Sequence, residues 1–179
     1  MNAAGGQSVG AIVFTDIVGF TQFTAARGDD EALALLDLQG RLVHDALPPQ
    51  ARIVKDLGDG LMLWIPAAPI ALETCLELLD RFAEVTRGGS PLWVRMGMHW
   101  GCPTPRGDDL VGHAVNLASR IAGAAGPGEL LISADVAEAA GDALPRFQLE
   151  ELGPVVMRGI PDPVRLYRTS RHEAAPMPV

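Results

Sequence analysis

Residues 11 to 14, Ala-Ile-Val-Phe, are apolar without a break. The chain then passes Thr15 and the carboxylate of Asp16 and resumes as Ile17-Val18-Gly19-Phe20. A strand with one wet face alternates apolar and polar residues, whereas a run apolar at every position is buried on both faces. Such a strand requires a layer on each side, so this chain must cover a sheet with helices. An aspartate at the end of that strand also needs a partner for its charge, whether a capping amide, an arginine or a metal.

The rest of the sequence supplies the layers. A short helix is expected around Thr21 to Ala26. A longer one is expected from about Asp30 to Leu47, with Leu33, Leu36, Val43 and Leu47 as its apolar stripe, Leu35 and Leu42 alongside, and Pro48-Pro49 as its stop. "RIVKDLGDGLMLWIP" reads as two strands about a turn at Gly58-Asp59-Gly60. Ala67 to Arg87 has helical spacing, with Leu72, Cys75, Leu76, Leu79, Phe82 and Ala83 on one face. "LWVRMGMHWG" is a strand and "CPTPRGDD" an irregular or hairpin excursion. Gly112 to Ala124 is a helix ended by Gly126-Pro127, "GELLIS" a short strand, and Asp135 to Ala140 a small helix. The segment from Phe147 to Thr169 reads as strand, turn, strand. Strands and helices alternate in mixed order, which predicts an α/β sandwich in a single domain. Residues 1–8 read as a flexible N-terminus, 9–168 as the domain and 169–179 as a flexible tail.

Charge and cysteine usage narrow the function. A net charge of -8 argues against nucleic-acid binding, which needs a basic surface, but not against a phosphorylated small molecule held by local cations. Cys75 and Cys102 are far apart and in no metal spacing, as in a protein of a reducing compartment. The longest apolar stretch, Leu61 to Leu72, is too short to span a bilayer, and the N-terminus lacks a secretory pattern. A cytoplasmic protein is expected.

Two carboxylates stand where a fold usually avoids them. Asp16 ends the first strand and Asp59 sits in the turn of the following pair of strands. If that pair lies beside the first strand, both carboxylates share one end of the sheet and repel, and a divalent cation relieves this. Val18, Gly19 and Phe20 could then offer backbone amides to an anion at a helix start. Taken singly, Asp16 is equally a helix cap and Asp59 equally a turn residue. Asn116 and Arg120 are four apart and share a helix face, a pair able to hold a ribose or a phosphate but also an ordinary solvated face. Asp109, ahead of that helix, could simply cap it. Lys55 and Arg158 could be plain surface cations. His44, His99, His113 and His172 show no metal spacing, and neither Walker A, G-x-G-x-x-G nor G-x-S-x-G is present.

Five stretches in order, "FTDIVGFT", "KDLGDGLM", "MGMHWG", "DLVGHAVNLASR" and "VVMRGIPDPVRLYR", together resemble the catalytic domain of class III nucleotidyl cyclases, over about residues 9 to 168. The resemblance implies a ferredoxin-like βαββαβ core, a mixed, mainly antiparallel sheet covered by helices, and a head-to-tail homodimer with two shared active sites. It implies an adenylyl cyclase using ATP with two Mg²⁺ or Mn²⁺ ions per site. By position, Asp16 and Asp59 match the metal aspartates, Ile17 would add a carbonyl, and the amides through Phe20 would hold phosphates. Lys55 and Asp109 match the base-reading positions. Asn116 and Arg120 match the pair that orients the ribose and stabilises the reacting phosphate. Arg158 stands where the family usually has a lysine for the terminal phosphates. One chain holds both half-sites, so a monomer should be inert. Two rivals are a degenerate cyclase domain that binds nucleotide or regulates without turnover, and a diguanylate cyclase or polymerase-palm relative, which lacks its G-G-[DE]-[DE]-F turn here.

Overall fold

The structure is a computed structural model that describes residues 8–171. The expected termini 1–7 and 172–179, with His172, lie outside the described residues. In chain order the elements are β1 (Gly10–Ile17), α1 (Phe20–Arg27), α2 (Asp29–Ala46), β2 (Arg52–Asp56), β3 (Leu61–Ile65), α3 (Ala68–Arg87), β4 (Val94–Gly101), β5 (Thr104–Arg106), β6 (Asp109–Val111), α4 (His113–Ala124), β7 (Leu130–Ser133), α5 (Ala134–Ala140), a 3-10 turn (Gly141–Arg146), β8 (Phe147–Val155) and β9 (Val164–Arg171). Seven strands form one sheet in the order β2-β3-β1-β4-β7-β9-β8, and β5 and β6 form a separate hairpin. All neighbours in the large sheet are antiparallel except β4 and β7. The first four strands with α2 and α3 are the expected βαββαβ core, with β1 at its centre.

β1 is buried on both faces, as its composition requires. Ala11, Val13 and Ile17 enter one apolar cluster with α2 and α3, and Ile12 and Phe14 enter another with α4. β4 alternates in the same way. Met96 and Met98 join the α2–α3 side, while Gly97 lies so close beneath α4 that a Cβ there would strike the backbone of Ile121 and Ala122. Glycine is thus what lets α4 sit directly on the sheet.

Two expectations are corrected. The buried stripe of α2 is Ala32, Leu35, Gln39 and Val43, and Leu33 is 58% exposed. Of the expected residues, Leu35 and Val43 are buried and Leu36, Leu42 and Leu47 pack partly buried against the same cluster, so the correction is confined to Leu33 and to the polar Gln39, which takes the centre of the stripe. The last strand also continues past residue 168: Thr169 pairs with Leu130 and Leu149, and Ser170 with Gln148. Thr169 is buried, so 169–171 belong to the sheet rather than to a tail.

Candidate active site

The sheet topology brings Asp16 and Asp59 together. The Ile17 amide donates to the Asp59 carbonyl at 2.9 Å, tying the end of β1 to the β2–β3 turn. The buried Thr15 hydroxyl accepts from the Leu61 amide at 3.0 Å and from Gln39 Nε2 at 3.2 Å, which fixes the turn and α2 to the same point. The turn itself is closed by Leu57 N–H to the Gly60 carbonyl at 2.9 Å and by Gly58 N–H to Asp56 Oδ1 at 2.7 Å. Gly58 has φ 92°, which a side chain rarely tolerates. A cavity of about 390 Å³ results, and Asp16, Asp59, Arg95, Ser119 and Arg120 all line it.

The observed partner of Asp16 is an arginine. Arg95 faces it across the β1–β4 ladder, with Nε 2.6 Å from Asp16 Oδ2, and Arg95 Nη1 donates to the Gly123 carbonyl at 3.3 Å. Sequence reasoning missed Arg95. The signal was a cation within the otherwise apolar strand "WVRMGM", where a charge needs a reason.

The residues after Asp16 only partly meet expectation. The Val18 amide donates to the Trp93 carbonyl at 2.7 Å, so it is not free for an anion. Gly19, at φ 76°, and Phe20 open α1, where the first amides have no intrahelical acceptor. Of the three expected amides, these two remain available.

Lys55 and Asp109 meet at 2.8 Å between Nζ and Oδ2. A bulge in β2 makes this contact possible. Ile53 pairs with Leu63 and Lys55 with Met62, leaving Val54 as the extra residue. Leu63 belongs to the α2–α3 side and Met62 to the α4 side. Without the bulge Lys55 would fall opposite Leu61 and point away from the β5–β6 hairpin, which carries Asp109. The Lys55 hydrogen bond, then that from the Leu110 amide to Oδ1, hold the Asp109 carboxyl below its ordinary range.

A second cavity, about 230 Å³, is lined by Asn116, Ser119, Arg120, Arg158, Gly159 and Ile160. Asn116 and Arg120 project from the exposed face of α4, whose other face buries Ala114, Val115, Leu117, Ala118 and Ile121. Arg158 stands on the β8–β9 loop, which the buried Met157 anchors and the Ile160 amide closes onto the Met157 carbonyl at 3.1 Å. Ser119 and Arg120 border both cavities. Lys55 and Asp109 line neither of these two. Among the described residues Asn116, Arg120 and Arg158 have neither an ion-pair nor a side-chain hydrogen-bond partner.

No group of three or more His, Cys, Asp or Glu residues suited to a metal occurs among the described residues. Asp16 and Asp59 do line one cavity, and carboxylate oxygens are the donors that a hard divalent cation takes. His99 is buried and bonds Ser133 Oγ through Nδ1 at 2.8 Å, and His44 is exposed, both outside the site.

A family model described as the adenylate and guanylate cyclase catalytic domain matches residues 3–170. A pH-sensitive adenylate cyclase of Mycobacterium tuberculosis is 36% identical over 162 residues, covering 89% of this chain and 40% of that protein, so the chain spans well under half the length of this relative. Among solved structures, an adenylate cyclase of Trypanosoma brucei in its monomeric state superposes with a TM-score of 0.81 at 23% identity, covering 93% of this chain and 92% of that one. The guanylate cyclase domain of RhGC from Catenaria anguillulae, in complex with GTP, gives 0.82 at 19% identity, covering 95% and 100%. These likenesses confirm the fold, and the family match over nearly the whole chain establishes that the protein belongs to the adenylate and guanylate cyclase catalytic domain family.

Proposed function

We propose that this chain is an adenylyl cyclase catalytic domain, converting ATP to 3',5'-cyclic AMP and pyrophosphate at sites shared by two copies packed head to tail. The observation that carries the choice of base is the Lys55–Asp109 pair at 2.8 Å. Lysine only donates hydrogen bonds and a carboxylate only accepts them. Adenine offers an acceptor at N1 and a donor at its 6-amino group, so it complements the pair. Guanine would set O6 against Asp109 and N1–H against Lys55, two mismatched contacts of the kind that discriminates strongly.

The reaction forms one bond, from the ribose 3'-oxygen to the α-phosphorus, and breaks the bond from that phosphorus to the bridging oxygen of the leaving pyrophosphate. The hydroxyl proton passes to solvent. Asp16 and Asp59, with the Ile17 carbonyl beside them, would hold two Mg²⁺ or Mn²⁺ ions, which supply activation of the hydroxyl and binding of the triphosphate. Arg120, on the exposed face of α4 and so open to the nucleotide held by the carboxylates of the other copy, faces the charge that grows on the α-phosphate. Arg158 takes the terminal phosphates, and its planar guanidinium can do so through two hydrogen bonds where a lysine would act as a point charge. Asn116 orients the ribose, and the Gly19 and Phe20 amides add donors to the phosphates. Arg95 holds the Asp16 carboxylate in one orientation and adds fixed positive charge to the cavity. The absence of ion-pair partners for Arg120 and Arg158 among the described residues supports their availability to an anionic substrate. Among the described residues no helix is long and apolar enough to cross a membrane. A cytoplasmic place, with access to ATP, belongs to this reading.

The test is to measure cyclic AMP from ATP and cyclic GMP from GTP, with Mg²⁺ or Mn²⁺, over a range of protein concentration. ATP should be strongly preferred, and activity per chain should rise as dimers form. Asp16→Ala and Arg120→Ala should each be nearly inactive. Mixed after subunit exchange, about half the dimers carry one of each, and one of their two sites is intact, so about a quarter of the parent activity should return. No cyclic product at any concentration would leave a nucleotide-binding domain without turnover. A preference for GTP would overturn the base assignment, and no recovery on mixing would place each site within one chain.

A further inference from the structure

The hairpin that carries Asp109 has no ladder to the seven-stranded sheet. A two-stranded hairpin is marginal by itself, so its placement depends on what fastens it. One fastening is Leu110, buried in the α4-side cluster with Ile12, Phe14 and Met62. A second is the Lys55–Asp109 pair, which must adjust when a base arrives. The third is Arg52, whose Nη1 donates to the Asp108 carbonyl at 2.8 Å.

Arg52 and Lys55 leave β2 on the same side. Arg52 pairs with Trp64, and the bulge at Val54 returns Lys55 to the position opposite Met62; Trp64 and Met62 both face the α4-side cluster. The two cations therefore reach consecutive hairpin residues, Arg52 the main chain at 108 and Lys55 the side chain at 109. The Arg52 bond uses no atom of the Asp109 carboxylate, so it does not compete with a base for that group. Leu110 sets the depth of the hairpin, and Arg52 fixes its swing along β2.

We propose that Arg52 is a positioning residue for base recognition, which holds the Asp108 carbonyl so that Asp109 stands at hydrogen-bond distance from Lys55. Arg52 touches no substrate and acts through Asp109. The inference rests on the adenylyl cyclase reading for its functional consequence, whereas its structural content does not depend on that reading.

The test compares the parent with Arg52→Met, which keeps the apolar stem but cannot donate, and Arg52→Lys, which can donate one hydrogen bond to the same carbonyl. Amide hydrogen exchange over residues 104–111 should quicken in Arg52→Met alone. Its KM for ATP should rise about tenfold, its preference for ATP over GTP should fall about tenfold, and its kcat should stay within about threefold, with Arg52→Lys close to the parent; a tenfold change corresponds to the loss of one charge-assisted hydrogen bond. Affinities for the non-cyclisable α,β-methylene triphosphates of adenosine and guanosine give the same comparison without turnover. If the parent binds the adenosine analogue preferentially but makes no cyclic AMP, the catalytic reading fails and the Arg52 comparison still decides the positioning role by binding. Unchanged hairpin exchange, or equal losses toward both bases, would overturn the inference, as would a parent with no base preference at all.

Discussion

The contact between α4 and the sheet gives the sharpest link from packing to activity. A Cβ added at Gly97 would lie 2.5 Å from Ala122 Cα and 2.6 Å from Ile121 C, with the Ala122 amide nitrogen also in its path. Ordinary contact begins at 3.4 Å, so α4 must retreat by about 0.9 Å or more. All three obstacles are backbone atoms, and no side-chain rotation can relieve them. Overpacking of this kind costs about 1–3 kcal/mol, and each kcal/mol lowers Tm by roughly 2–4 °C in a chain of this size. The same retreat displaces Arg120 and Asn116, which in the proposed shared site act on a nucleotide held by the carboxylates of the other copy, and a displacement near 1 Å can cost about a hundredfold in rate. Gly97→Ala should therefore melt a few degrees lower and lose about a hundredfold in kcat for cyclic AMP formation. The control is Gly40→Ala, within α2 and away from the cavity, where an added Cβ meets nothing within 4 Å; it should keep its activity and be no less stable, since alanine is the better helix former by about 1 kcal/mol. Gly97→Ala with kcat within about twofold of the parent and an unchanged Tm would refute the claim that this glycine sets the height of α4 above the sheet and, with it, the place of Arg120.

Three further outcomes follow from the placement of Lys55, the cysteines and His99. Lys55→Glu combined with Asp109→Cys should reduce kcat/KM for ATP far more than it lowers Tm, and a retained ATP preference would remove both residues from base reading. Burial pushes the Cys75 thiol up to about 12 whereas Cys102 is exposed, so a thiol reagent should label one cysteine in the native protein and two in urea; rapid native labelling of both would contradict the core as described. Burial, the largest influence, lowers the His99 pKa below its ordinary 6.5, with Asp135 opposing and His113 assisting. Because the unfolded chain takes up that proton first, the stability owed to neutral His99 is complete above about pH 6.5 and declines as pH falls through the window below it. Urea unfolding between pH 7 and 5 should show that decline, and His99→Asn should flatten it; an identical slope in the variant would assign the pH dependence elsewhere.

Much of the fold was legible because it follows from local pattern. The unbroken run at Ala11 to Phe14 demanded burial on two faces, and its residues do divide between the two apolar clusters. Helix limits agreed within a residue or two because Pro48, Gly88 and Gly126 punctuate the chain where helices end. α2 was legible in extent and in most of its packing face, since Leu35 and Val43 are buried and Leu36, Leu42 and Leu47 pack against the same cluster; what was missed is that the buried position at its centre is held by Gln39, which faces the sheet to reach Thr15 rather than to bury carbon. A polar residue recruited by a long-range hydrogen bond looks like an exposed one in sequence.

The candidate site divides along the same line. Residue types alone pointed to two carboxylates, and the resemblance to the cyclase family added a lysine–aspartate pair and two arginines; the structure gathers Asp16, Asp59 and Arg120 on one cavity and joins Lys55 to Asp109. What sequence could not supply was strand register. Arg95 is the partner of Asp16 because β1 and β4 pair Asp16 with Arg95 and not with Val94 or Met96, a choice made by the whole ladder. The Val18 amide is spent on Trp93 through the same alignment. Lys55 faces Asp109 only because β2 gains one residue at Val54, and in a structure of period two a single inserted residue decides which face a side chain occupies. No local propensity marks Val54 as a bulge, yet without it the lysine would turn toward α2 and α3, and the chain would keep every motif of a cyclase while losing the pair proposed to distinguish adenine from guanine.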